Sequence, residues 1–144
     1  MIRKLILKNF RNFEYLEFEP QNGINYIYGL NGSGKTNIIE AISCLSLGKS
    51  FKNISDKIMI NVYNDSYFYI KGFTDKHVLE IGMDKKNKIR KRDNVEIKRA
   101  RDYVGCLKSV VFSTDDFSLI NGTPTEKRKY LDILLSQIDA LYLE

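Results

Sequence analysis

Eight consecutive residues, GLNGSGKT at positions 29–36, constrain the fold of this chain more than any other part of its sequence. They match the pattern G-x-x-x-x-G-K-S/T of the phosphate-binding loop, called the P-loop below. Its glycines let the backbone curl around a phosphate, and a helix beginning near Lys35 adds the positive end of its dipole. We expect Lys35 to contact the β- and γ-phosphates of a nucleotide, and the Thr36 hydroxyl to bind Mg²⁺. The candidate nucleotide-binding residues of the loop are Gly29, Leu30, Asn31, Gly32, Ser33, Gly34, Lys35 and Thr36.

The residues on either side of the loop favour this interpretation over a glycine-rich turn before a core helix. Residues 24–28 (INYIY) form an apolar run that predicts a buried strand. Residues 35–47 carry apolar side chains almost all round a helix, which predicts a deeply buried helix ended by Gly48. A strand, a P-loop and a helix in this order are the context that supports the interpretation as a nucleotide site.

The rest of the chain alternates short apolar runs with turn residues. Residues 2–8 and 13–18 predict two half-buried strands, and residues 57–97 predict antiparallel hairpins built from runs at 58–63, 67–73, 77–83, 88–91 and 94–97. We expect a short helix at 99–105 and a buried strand at 109–112. A capping box at 123–126 (TPTE) begins a helix that is expected to run from about 124 to the chain end and to be cut there.

Composition narrows the class of protein. The 144 residues suit one domain or part of a larger one. Two cysteines far apart and a single histidine argue against a disulfide framework, a zinc pair and a histidine-based site. No apolar run approaches the roughly 18 residues of a membrane span, so we expect a cytoplasmic protein with no membrane partner.

Positive charge is concentrated in one segment. The net charge is +5, yet residues 85–101 hold nine basic residues against two acidic ones, which leaves the rest of the chain slightly acidic. This segment is either a face that binds a polyanion or a solvated hairpin whose lysines protect an edge strand, and the sequence favours neither. A second basic cluster occupies the first turn of the last predicted helix, where cations oppose the helix dipole.

Acidic residues for hydrolysis are harder to find. A carboxylate at the end of a second strand usually holds Mg²⁺ in such folds. Asp115 and Asp116 follow the apolar run at 110–112, but Ser113 and Thr114 intervene, so we interpret them as the start of a short helix.

The motifs together resemble a known family. NFRNF at 9–13 with the P-loop and Asn37 resembles the SMC/Rad50 class of ABC ATPase heads. The residues EAI at 40–42, GKS at 48–50, FSxDDxxLIxGxP at 112–124 and EKRKYLD at 126–132 are similar to the RecF family of bacterial DNA replication and recombinational repair. Thr114 and Lys127 depart from the usual proline and arginine of that family.

The resemblance implies an α/β fold with α+β character, namely a P-loop NTPase of the ABC-type ATPase head class. It would comprise a buried P-loop helix and an antiparallel hairpin subdomain, and residues 1–144 would be the N-terminal lobe alone. It further implies ATP and Mg²⁺ as ligands, DNA binding, dimerisation on ATP, and action with RecO and RecR in RecA loading during DNA damage and the SOS response. Arg11, Asn12 and Asn37 would lie beside the nucleotide, although a plain polar turn explains Arg11 and Asn12 equally well.

The family's Walker B carboxylates and signature motif have no match here, so no catalytic residue is expected. The intact protein would be a weak ATPase and this lobe inactive alone. DNA contacts are expected among Lys85, Lys86, Lys88, Arg90, Lys91, Arg92, Lys127 and Arg128.

Two other functions share the loop. A small-molecule or nucleotide kinase would show a parallel βα repeat with lid arginines, which the hairpin-rich region argues against. A lobe that binds nucleotide and serves only as a dimerisation surface is the third possibility.

Overall fold

The protein is described by a computed structural model covering all residues except 53, 62, 64–65, 85, 114–120, 140–141 and 143–144. Six strands form one antiparallel sheet in the order β2-β1-β3-β4-β5-β6. They are β1 (Ile2–Phe10), β2 (Phe13–Phe18), β3 (Tyr67–Thr74), β4 (Val78–Asp84), β5 (Lys88–Arg92) and β6 (Val95–Glu96). The predicted hairpins between 67 and 97 are confirmed, and the turn residues between them account for the connections.

Alternation along the strands gives the sheet one apolar face. Leu7 pairs with Ile70, which pairs in turn with Ile81, and all three side chains are fully buried. Because directly opposed residues share a face, these pairs form a continuous stripe across the three central strands. The stripe is the floor of the hydrophobic core.

Helix α1 (Lys35–Leu47) packs on this floor. Its inner side chains, including Ala41, Cys44 and Leu45, are at most 1% exposed. Gly48 ends the helix in the left-handed conformation, and its N–H donates to the Cys44 carbonyl at 2.8 Å. The helix has the predicted bounds and is largely buried, although one of its apolar side chains, Ile39, is 39% exposed.

The last helix, α2 (Pro124–Ile138), begins at the predicted capping box. The Thr123 N–H donates to the Glu126 carboxylate at 2.7 Å, and the Glu126 N–H donates to the Thr123 hydroxyl at 3.4 Å. Gln137, which is 5% exposed, joins the helix to the core by accepting from the Ser46 hydroxyl at 2.9 Å and from the Ser109 N–H at 2.7 Å. The helix ends at Ile138, before the predicted continuation, because Asp139 is extended.

Three predicted strands are wrong, and one predicted short helix is shorter than expected. Residues 24–28 are not a strand, and Tyr26 and Tyr28 are 84% and 92% exposed. The described residues of 58–63 do not form a strand, since Asp56–Met59 is a 3₁₀ turn and Ile60 makes one isolated bridge to Phe10. Residues 109–112 also lack strand structure, and the helix predicted at 99–105 is a 3₁₀ turn at Ala100–Asp102. An apolar run becomes a strand only beside another backbone, and none of the six described strands pairs with 24–28 or 109–112.

In the described part of the chain, no helix is long and apolar enough to cross a membrane.

The contact between Leu45 of α1 and Gly72 of the sheet leads to a stability prediction. A Cβ added at Gly72 in β3 would lie 2.5 Å from Leu45 Cδ1, whereas one at Gly82 in β4 would have its nearest neighbour at 3.6 Å. Leu45 is fully buried, so its side chain has little room to move away. We expect Gly72→Ala to lower the free energy of unfolding by about 1–3 kcal/mol and Gly82→Ala to change it by less than about 1 kcal/mol, measured by urea denaturation. Equal losses in the two variants would contradict tight packing at Gly72.

Candidate nucleotide-binding site

The P-loop lies in front of α1 and is open to solvent on its outer side. Its exposed members include Leu30, at 85%, and Gly32, where an added Cβ would meet nothing within 4 Å. Gly34 is the residue before the helix, and no side chain caps the first N–H groups of α1. Uncapped N–H groups and the helix dipole together attract an anion, so the loop fits a phosphate group.

Lys35 lies across the loop. Its Nζ donates to the carbonyl of Gly29 at 2.8 Å and to that of Leu30 at 2.7 Å. Thr36, one residue further, is exposed on the first turn of α1. The cation and the hydroxyl that the sequence assigns to phosphate and Mg²⁺ therefore both lie at the open end of the helix.

The turn between β1 and β2 supports the loop from the other side. Asn12 donates through Nδ2 to the Gly32 carbonyl at 3.3 Å and accepts from Asn37 Nδ2 at 2.9 Å. Phe13 lies so close to Gly34 that an added Cβ would be 2.5 Å from Phe13 Cζ. The structure thus brings Asn12 and Asn37 to the P-loop, and their contact with nucleotide stays a prediction.

Arg11 is directed elsewhere. Its Nη2 and Nε donate to the two carboxylate oxygens of Glu40 at 2.7 and 3.0 Å, and its Nη1 donates to the Ile58 carbonyl at 3.1 Å. With only 16% of its side chain exposed, Arg11 holds the turn against α1, and its predicted contact with nucleotide also stays a prediction.

Sequence analysis missed the importance of Glu40. This carboxylate is 0% exposed and accepts hydrogen bonds from Arg11, from the Ser50 hydroxyl at 2.5 Å and from Lys52 Nζ at 3.1 Å. Burial alone would raise the pKa of the Glu40 carboxyl, but the hydrogen bonds from Arg11 and Ser50, with the charge of Arg11, outweigh burial and hold the pKa below its usual range. A single carboxylate in a helix predicted to be deeply buried is the signal that could have revealed it, because a buried charge requires partners.

The remaining predicted residues lie away from the loop. Lys86 is exposed at the β4–β5 turn, and Lys127 and Arg128 are exposed near the start of α2. Lys85, Asp115 and Asp116 lie outside the described residues. Among the residues that the structure describes, no group of three or more histidine, cysteine, aspartate or glutamate side chains could hold a metal ion.

The contacts of Phe13 and Asn12 with Gly34 can be tested by a pair of matched variants. Gly32 and Gly34 both have left-handed backbone, with φ of +81° and +99°, so alanine carries a similar backbone cost at either position. Only at position 34 would the new Cβ also collide with Phe13 and with Asn12, whose Oδ1 would be 2.6 Å away. We expect Gly34→Ala to lower the free energy of unfolding by about 1–3 kcal/mol more than Gly32→Ala, measured by urea denaturation without nucleotide. Indistinguishable variants would contradict the packing of the turn on the loop.

Comparison with known proteins places the chain in a family. Residues 4–142 match the family described as AAA domain. The chain is 39% identical over 149 residues to the DNA replication and repair protein RecF of Chlamydia trachomatis, covering 99% of this chain and 40% of that protein. The RecF protein of Bacillus velezensis is 36% identical over 146 residues, with 99% of this chain and 39% of that protein covered. The chain therefore spans about 40% of the length of these relatives.

Solved structures that resemble this chain are also RecF proteins. A structure of the recombination mediator protein RecF-ATP in the RecFOR pathway has a TM-score of 0.90 and 34% identity, covering 99% of this chain and 39% of that chain. A second, of RecF-ATPrS, has a TM-score of 0.91 and 33% identity, with 99% and 40% covered. The α/β P-loop fold of the ABC-type head class and the resemblance to RecF are confirmed, and the chain belongs to the AAA domain family.

Proposed function

We propose that this chain is the ATP-binding lobe of a cytoplasmic, RecF-like protein that binds DNA in bacterial replication and recombinational repair. In this proposal ATP drives homodimerisation, and RecO and RecR are the partner proteins. The observation that carries it is the supported P-loop, in a chain whose fold resembles a RecF-ATP structure along 99% of its length.

The residues at the loop account for the binding of ATP with Mg²⁺. Lys35 would exchange the carbonyls of Gly29 and Leu30 for the β- and γ-phosphates, since a cation forms stronger hydrogen bonds with charged oxygens than with neutral ones. The Thr36 hydroxyl would hold Mg²⁺, which offsets the charge of the phosphates when it is bound. The open space at Gly32 would admit a phosphate close to the backbone.

The kinase alternative is not favoured. It requires a parallel βα repeat, whereas the six strands within the described residues pair antiparallel. The named relatives and solved structures are RecF proteins.

The role of Lys35 predicts a loss of ATP affinity in Lys35→Ala. Charged hydrogen bonds to phosphate contribute about 1.5–3 kcal/mol, which corresponds to a Kd about 10- to 100-fold higher in calorimetric titration with ATP and Mg²⁺. Lys49→Ala is the matched control, because this lysine is exposed just beyond the opposite end of α1 and should bind ATP like the wild type. ATP affinity that is unchanged in Lys35→Ala would contradict the proposed site.

The register of the sheet decides which cations of the basic segment can reach DNA. Lys88, Arg90 and Arg92 pair with Met83, Ile81 and Leu79, so they lie on the core-facing side of the sheet. Lys88 forms an ion pair with Asp56 of the 3₁₀ turn. These three side chains are thus turned toward the body of the protein.

Arg90 and Arg92 of this set also have structural partners near the core. Arg90 packs against Gly48, where a cation complements the negative end of the α1 dipole. Arg92 Nη1 donates to Cys106 Sγ at 3.4 Å. Lys91 points to the opposite face, directly across from Glu80 in the next strand. We therefore give these residues a smaller part in DNA binding than the charge of the segment indicates.

The remaining cations of the segment face a mixed environment. An open groove beyond β5 exposes Lys98 and Arg99, but Glu96 and Asp102 line the same groove. Carboxylates beside the cations weaken the attraction to phosphates.

Lys127 and Arg128 fit a DNA contact better. Both are exposed near the start of α2, and Lys127, the fourth residue of the helix, opposes the helix dipole. Two accessible cations side by side near one end of a helix suit a contact with phosphates.

This assignment predicts the salt dependence of DNA binding. Reversing both charges in Lys127→Glu/Arg128→Glu should weaken duplex binding and reduce the slope of log K against log[salt] by about 1.8, since each phosphate contact contributes about 0.9. Glutamates at a helix N-terminus favour the dipole, so loss of α2 should not cause the effect, and circular dichroism checks this. Lys57→Glu/Lys76→Glu, at two exposed lysines on other turns, changes the net charge equally and is the control. The same slope in both double variants would contradict the assignment.

A further inference from the structure

Glu40 is a buried charge in the middle of α1 and lies away from the open loop. At 0% exposure it cannot reach a bound nucleotide. Its two oxygens nevertheless receive four hydrogen bonds, two from Arg11 and one each from Ser50 and Lys52. Such complete satisfaction is what a buried carboxylate needs to remain ionised.

The Arg11 side of this cluster leads to the P-loop. Arg11 has a left-handed backbone, with φ of +57°, and its N–H donates to the Met59 carbonyl at 2.8 Å. The guanidinium and the backbone are therefore both fixed, and the next residue, Asn12, has little freedom. Asn12 in turn bonds to the Gly32 carbonyl and to Asn37.

The Lys52 side of the cluster leads away from the loop. Ser50 and Lys52 belong to the connection after α1, and the Ser50 hydroxyl also accepts from the Lys52 N–H at 3.1 Å. Two sets of hydrogen bonds, called branches below, therefore meet at the Glu40 carboxylate. One branch runs through Arg11 to Asn12 and the other runs to Lys52. Among the described residues, only the branch through Arg11 and Asn12 contacts the P-loop.

We propose that Glu40 is a positioning residue of the nucleotide site, which fixes Arg11 and, through Asn12, the shape of the P-loop. The proposal rests on the proposed function, since it assumes that the loop binds ATP. Glu40 acts on the phosphates only through the turn, so its effect on ATP affinity must pass through Asn12.

The first experiment is a double-mutant cycle on ATP binding. Glu40→Gln leaves the guanidinium of Arg11 facing a neutral amide, and Asn12→Ala cuts the same branch at its far end. By analogy with residues that orient metal ligands, we expect each variant to raise the Kd for ATP about tenfold in calorimetric titration. The double variant should bind ATP no more weakly than the weaker single variant, because both changes interrupt one branch. Additive losses would overturn the proposal.

Two controls separate positioning from stability. Lys52→Ala removes the other branch and should leave the Kd for ATP within about twofold of the wild type. Glu80→Gln removes a carboxylate in β4, away from α1, that is 7% exposed and is paired with Tyr69 at 2.6 Å and with Lys71 at 3.3 Å. It should lower the urea midpoint without changing ATP affinity. An equal loss of ATP affinity in Glu80→Gln and Glu40→Gln would overturn the proposal, because it would show that Glu40 acts only through the stability of the fold.

A third variant covers the case in which Glu40→Gln does not fold. Arg11→Lys keeps the ion pair but cannot bond to both oxygens and to the Ile58 carbonyl together. It should fold and should still raise the Kd for ATP. Folded Arg11→Lys and Asn12→Ala that bind ATP like the wild type would overturn the proposal.

A nucleotide-free measurement distinguishes this proposal from the proposed function. Backbone ¹⁵N order parameters report the rigidity of the loop without ligand. Glu40→Gln or Arg11→Lys should lower them at residues 29–34 and leave those of β3 and β4 unchanged. If wild-type protein failed to bind ATP, the proposed function would fail, while unchanged order parameters in the loop would reject the role of Glu40 by itself.

Discussion

The buried ion pair between Arg11 and Glu40 is the interaction on which the geometry of the loop depends. It joins the β1–β2 turn to the helix that carries the P-loop, two parts of the chain that lie 29 residues apart. Removing Arg11 would leave the buried Glu40 carboxylate with only Lys52 and Ser50 as partners, which is more costly than losing a surface pair. The turn and the helix therefore cannot shift separately, and the loop between them is held from both sides.

Close backbone contacts complete this arrangement. Gly72 lets α1 approach the sheet through Leu45, and Gly34 lets Phe13 and Asn12 approach the start of the same helix. Each contact uses the absence of a Cβ where a side chain would force the two elements apart. The P-loop helix is thus fixed by small residues at both of its ends and by a buried charge near its middle. A loop that approaches phosphate through its own backbone needs this rigidity, because its N–H groups must already point the right way before the ligand arrives.

Local signals in the sequence predicted the parts of the fold that local chemistry decides. The P-loop helix, its end at Gly48, the hairpins from β3 to β6 and the capping box of α2 all depend on residues close together in the chain. The strands predicted at 24–28 and 109–112 failed for a different reason. An apolar run forms a buried strand only where another backbone lies alongside it, and that information is not local. Without such a partner, side chains of both runs, such as Tyr28 and Phe112, are exposed. The role of Glu40 was missed for the same reason, because its partners come from two other segments, the β1–β2 turn and the connection after α1.

The distribution of charge also depends on the fold and not on the local sequence alone, and this changes which surface we assign to DNA binding. Counting residues gives the segment 85–101 a strong positive charge, yet alternate residues of a strand point to opposite faces. In β5 this geometry turns Lys88, Arg90 and Arg92 toward the body of the protein, where an acidic side chain, a helix end and a thiol are their neighbours. The cations of α2 are fewer but are exposed at a helix end that they destabilise. For a polyanion, the accessible cations that the fold does not need matter more than the total charge, so the first turn of α2 is the stronger candidate for the DNA surface.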